Sequence, residues 1–114
     1  MRLHSAVAAA GGALMLVLAV PASASAAMGQ FRYSYLTADG YDVVGFINNP
    51  RSGTCIDIQG AGSDGTSPAY APKNRTDSTA TVFLEAGCEG DVFYSLRPGA
   101  GASDRLLLRS VVFS

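Results

Sequence analysis

VFLEAGCEGDVFYSLRPG, running from Val82 to Gly99, is the stretch whose reading decides the fold. Its first half spaces an aromatic, a cysteine and a glycine as Phe83, four residues, Cys88, one residue, Gly90. That is the spacing of a hairpin bent back over its own sheet, and the closing glycine suits a backbone with positive φ. The second half, Asp91 to Leu96, reads as a plain strand running into the turn RPG.

Outward from this stretch the pattern stays short and alternating. Phe31, Tyr33 and Tyr35 alternate with Arg32 and Ser34, Tyr41 to Ile47 is β-branched and aromatic, and Cys55 to Gln59 puts Ile56 and Ile58 on one face. Thr79 to Glu85 and Leu106 to Phe113 complete the set. Between them lie the turn clusters ADG (38–40), NNPRSG (48–53), GAGSDGTSP (60–68), CEGD (88–91) and RPGAGASD (97–104). The long Gly/Ser segment at 60–68 reads as a flexible loop between two halves. No apolar set repeats at helical spacing over ten positions after residue 27, so the expectation is an all-β sandwich or barrel.

Residues 1–27 read as a secretory signal peptide and 28–114 as a single all-β domain. Arg2 and His4 open the segment, Ala6 to Val20 is apolar with helical composition, Pro21 ends it, and ASASAA supplies small residues for a peptidase. The run is shorter than the ~20 residues that span a bilayer. The exported product is therefore expected to be secreted and extracellular, with no membrane association after cleavage. Of the eight Lys and Arg, Arg2 leaves with the leader, so seven face nine Asp and Glu, a net of minus two. No basic run appears, and nucleic acid is not an expected partner.

A domain of this size is short of buried surface and benefits from a covalent tie. Cys55 and Cys88 are the only thiols, and an oxidising exterior favours their pairing as a disulfide. The only histidine, His4, lies in the leader. The mature chain thus lacks the imidazole of Ser-His and Cys-His pairs and of histidine-ligated zinc. Carboxylate catalysis by Glu85 or Glu89 would need a cleft with paired acids, for which the chain is small and lacks tryptophan. No catalytic residue, metal or cofactor is expected.

From Asn74 to Phe113 the chain resembles one Greek-key motif of the βγ-crystallin superfamily, as in small secreted bacterial members. That family's signature is an aromatic, four residues, a second aromatic, one residue and glycine, followed about twenty residues later by a serine under the folded hairpin. Phe83 and Gly90 hold the first and last places, Cys88 replaces the second aromatic, and Ser110 follows Gly90 by twenty. Tyr33, Ala38 and Gly40 form a faint counterpart in the first half. The resemblance implies a small Greek-key β-sandwich of two motifs. Many microbial members bind calcium through a stretch whose nearest equivalent here is NRTDST, Asn74 to Thr79, but Arg75 stands where the family places a carboxylate or amide, and an arginine offers no lone pair.

Other microbial members of that fold inhibit metalloproteinases, usually with more cysteines than two. The matching local feature is YAPKNRT, Tyr70 to Thr76, read as an exposed, rigid binding loop in which Tyr70, Pro72, Lys73 and Arg75 would meet a partner. The functional expectation is a secreted, disulfide-stapled, monomeric domain that acts by binding a secreted protease or another extracellular protein. Protease inhibition is its sharpest form; a calcium-stabilised or structural extracellular protein is the alternative.

Overall fold

The computed structural model describes residues 26–114. Of the expected signal segment, residues 1–25 lie outside the described residues, whereas Ala26 bridges Arg51 and Ala27 is buried in the core.

Among the described residues, eight strands form two four-stranded antiparallel sheets. They are β1 (Gly29–Leu36), β2 (Asp42–Asn48), β3 (Ile56–Asp57), β4 (Ala69–Thr76), β5 (Ala80–Phe83), β6 (Phe93–Leu96), β7 (Leu107–Leu108) and β8 (Ser110–Phe113). The first sheet has the order β2-β1-β4-β7 and the second β3-β8-β5-β6. Each half of the chain keeps three strands in its own sheet and gives its third strand to the other. Neither sheet is complete without both halves.

The alternation that predicts the strands also builds the core, because side chains along a strand point to opposite faces. On β1, Phe31 and Tyr33 turn inward while Gln30, Arg32 and Ser34 turn outward. Val82, Leu96, Leu108, Val111 and Phe113 arrive from the remaining strands, and Ile58 from the end of β3, with Ile56 packed against them. Phe31 of the first sheet meets Phe113 of the second edge-to-face at 5.4 Å between ring centroids. Such geometry adds roughly 0.5–1.5 kcal/mol beyond the area it buries.

Two sequence readings are corrected. YAPKNRT is not a loop: it is most of β4, paired with β1 on one side and with β7 and Gly101 on the other. Proline is disfavoured inside a sheet because it donates no hydrogen bond. Pro72 is accommodated at a register shift between Arg32 and Ser34, beside Ala71 with φ +53, where its carbonyl accepts from the Ala102 N–H at 2.9 Å. The run Leu106 to Phe113 is two strands in different sheets. The break is at Arg109, whose N–H donates to the Phe83 carbonyl while its guanidinium turns to the 60–67 loop.

The opening stretch folds as the spacing requires. A 3-10 turn at Ala86–Cys88 bends the chain back, and Gly87, Cys88 and Gly90 all have positive φ, from +55 to +88. Ser110 is fully buried beneath it, donating to the Glu85 carbonyl at 2.6 Å and accepting the Cys88 N–H at 2.8 Å. The Cys55–Cys88 disulfide and the Gly87 N–H donated to Asp57 Oδ1 fasten the same bend to β3. With only two residues in β3, these ties replace a longer ladder.

Ser110→Ala should leave a donor and an acceptor of the bend without partners and destabilise the fold by about 1–3 kcal/mol. Cys55→Ala/Cys88→Ala should cost about 3–4 kcal/mol, the loop-closure value for a separation of 33 residues. Thermal melts of both variants check this, at roughly 4–8 °C per kcal/mol for a domain of this size.

Candidate functional site

The outward row of the first sheet is where chemistry-bearing side chains gather. Cross-strand partners share a face, and the register sets Phe46, Arg32 and Lys73 in one row and Asn48, Gln30 and Arg75 in the next. Phe46 is half exposed, Lys73 and Arg75 are exposed, and Arg32 is half-buried. Lys73 and Arg75 are on the same side of β4 because Asn74 between them points into the core. Three cations therefore share one face of a domain with a net negative charge.

Beside them the segment Gly99–Gly101 runs along β4, tied by the Asn74 N–H to the Ala100 carbonyl at 2.8 Å and the Gly99 N–H to the Asn74 carbonyl at 2.7 Å. The result is a shallow cleft of about 410 Å³ lined by Lys73, Arg75, Thr76, Gly99 and Gly101. Both glycines leave its floor without side chains, so the two cations dominate what a ligand would meet.

The four residues expected to form a binding loop thus separate. Lys73 and Arg75 come together at the cleft, Pro72 is buried beneath, and Tyr70 lies further along β4 with its hydroxyl donating to Asp42 Oδ1. Cys55, Cys88, Phe83, Gly90 and Ser110 are brought together at the bend, where the Phe83 ring also packs at a tilt against Phe93, 5.7 Å between centroids. Glu85 and Glu89 lie exposed on that bend and line neither this cleft nor the groove between residues 35–40 and 60–67.

Asn74, the first residue of the calcium-like stretch, is committed elsewhere. Its side-chain amide donates to the Ser78 and Leu96 carbonyls, and its oxygen accepts from the N–H and hydroxyl of Thr76. Among the described residues, no group of three or more His, Cys, Asp or Glu side chains gathers where a metal ion could sit.

The sequence reading missed two features. Val92, Phe93 and Tyr94 are each more than half exposed on or beside the edge strand β6, an apolar patch that a run read as an ordinary strand did not announce. Arg32 was read only as the polar partner in an alternation; its place beside Lys73 depends on a pairing over forty residues apart.

No protein-family model, curated protein or solved structure matches the chain.

Two phenols hold their protons more tightly than usual. Tyr33 is raised by burial and then by Tyr35; Tyr70 is raised chiefly by its hydrogen bond to Asp42. In the unfolded chain both would ionise near the ordinary value of about 10. A raised folded value means that their contribution to stability is complete below that pH and is lost as pH rises through the folded values. An ultraviolet titration should show Tyr33 and Tyr70 ionising late, with Asp42→Asn returning Tyr70 toward the ordinary range.

Proposed function

We propose that this chain is a secreted, non-catalytic binding domain of Greek-key, βγ-crystallin-like architecture, and that it engages an extracellular protein through the cationic face of its first sheet. The observation that carries the reading is the convergence of Lys73 and Arg75 at one cleft, with Arg32 and exposed Phe46 in the same cross-strand row as Lys73. A half-exposed aromatic in line with cations is the composition of a protein-recognition patch: the ring supplies apolar area, the charges supply orientation and association rate. Support for the Greek-key reading comes from the exchange of β3 and β7 between the two sheets and from Ser110 beneath the bend.

A secreted protease with an acidic rim is the partner class to assay first. The domain would dock on it by a rigid strand-borne surface rather than by threading a loop into the active-site cleft, because Lys73 and Arg75 sit on a strand paired on both sides. A pre-ordered surface loses little conformational entropy on docking.

Titrating secreted metallo- and serine proteases with the mature domain should give a stoichiometric loss of activity for at least one of them. Lys73→Glu/Arg75→Glu should weaken that inhibition tenfold or more, roughly 1.4 kcal/mol, with an unchanged melting temperature. Undiminished inhibition by the double variant would remove this face from the function.

A further inference from the structure

We propose that the groove between the hairpin end of β1 and the 60–67 loop is a second binding site, for a neutral, hydroxylated ring ligand of the saccharide class. The groove holds about 550 Å³ and is lined by Tyr35, Leu36, Thr37 and Ala38 on one wall and by Gly60 and Gly65 to Ser67 on the other. That volume falls within the roughly 300–1,000 Å³ of small-ligand sites.

The loop wall is tied to the body of the domain. Arg109 reaches in from between β7 and β8 and donates one guanidinium nitrogen to the carbonyls of Ser63 at 2.5 Å and Thr66 at 2.7 Å, with Ala61 at 3.4 Å. Ala61 is fully buried, and Thr66 closes a turn by donating its N–H and its hydroxyl to the Ser63 carbonyl. Three loop carbonyls thus converge on one cation. On the facing wall, Thr37 accepts the Tyr41 N–H through its hydroxyl and thereby closes the hairpin turn.

The lining chooses the ligand chemistry. Gly60 lies directly against the Tyr35 ring, so close that a Cβ there would fall 2.4 Å from a ring carbon; any side chain at 60 would displace the aromatic from its place in the wall. The walls offer one aromatic ring, the apolar surface of Leu36 and Ala38, and the hydroxyls of Thr37, Thr66 and Ser67. Among the described residues, no Lys, Arg, Asp or Glu lines the groove; Asp39 and Asp64 are exposed sequence neighbours of its walls but are not part of them. An anion finds no cation there and a cation no carboxylate. A sugar ring, apolar on its C–H face and hydroxylated at its edge, matches an aromatic surface framed by neutral hydroxyls.

The test is co-sedimentation of the mature protein with cellulose, chitin and starch, with polygalacturonate as the charged comparison. The expected result is retention on at least one neutral polysaccharide, reduced tenfold or more by Tyr35→Leu and by Ser67→Trp, the latter filling the groove from an exposed loop position without touching the core. Lys73→Glu/Arg75→Glu should leave this retention unchanged, which separates the site from the cationic face. No retention on any neutral polysaccharide, retention on polygalacturonate alone, or full retention by a folded Ser67→Trp variant would each overturn the proposal.

Discussion

The buried carboxamide of Asn74 is the joint on which the two sheets depend. An amide enclosed in a protein interior costs several kcal/mol unless its hydrogen bonds are met, and here all four are. Its nitrogen binds the Ser78 carbonyl and the Leu96 carbonyl at the end of β6, and its oxygen binds Thr76 twice. Its backbone meanwhile pairs with Gly99 and Ala100. One residue of the first sheet thereby holds the turn into the second half, the last carbonyl of the second sheet's edge strand, and the segment that floors the cationic cleft. Because Asn74 must point inward, its neighbours Lys73 and Arg75 must point outward, and the candidate surface follows from the same constraint that closes the core.

The exchange of β3 and β7 adds to this joint. Two-residue strands contribute few ladder bonds, so each is secured by something else: β3 by the disulfide and by Asp57 under the bend, β7 by its place between β4 and Arg109. The bend itself has three positive-φ positions, one of them a non-glycine at Cys88, and it is kept by Ser110 from below and Cys55 from the side. In a domain this small, covalent and buried polar ties do work that a larger core would share. The bend Phe83–Gly90 is therefore scaffold, and the proposed recognition would fall to the faces and ends of the sheets, as is usual where a rigid frame carries variable surfaces.

The two candidate surfaces lie at different places along β1. The cationic rows are level with Gln30 and Arg32, and the groove begins at Tyr35, after the register shift near Pro72. They differ in chemistry as well as position: one is charged and open, the other neutral and walled by a pinned loop. The two proposed recognitions would therefore not compete for the same residues.

Much of the scaffold was legible in the sequence because it rests on local rules. Period-two alternation marked β1, β-branched and aromatic composition marked β2, short apolar runs between turn clusters marked β5 and β6, Gly90 marked the bend, and two cysteines without alternatives in the chain had one partner each. What the sequence hid was set by pairing across distance. Pro72 argued against a central strand, and only the bulge and the Ala102 donor, supplied by a segment thirty residues on, made β4 possible there. Arg109 gave no sign that it would split a run of eight residues between two sheets and fasten a loop more than forty residues away. Alternation and turn chemistry act between neighbours, so the sequence by itself determined an all-β, disulfide-tied chain with a folded hairpin. Which cations share a face, and which walls meet to form a groove, are sums over contacts between remote residues, and only the tertiary structure decided them.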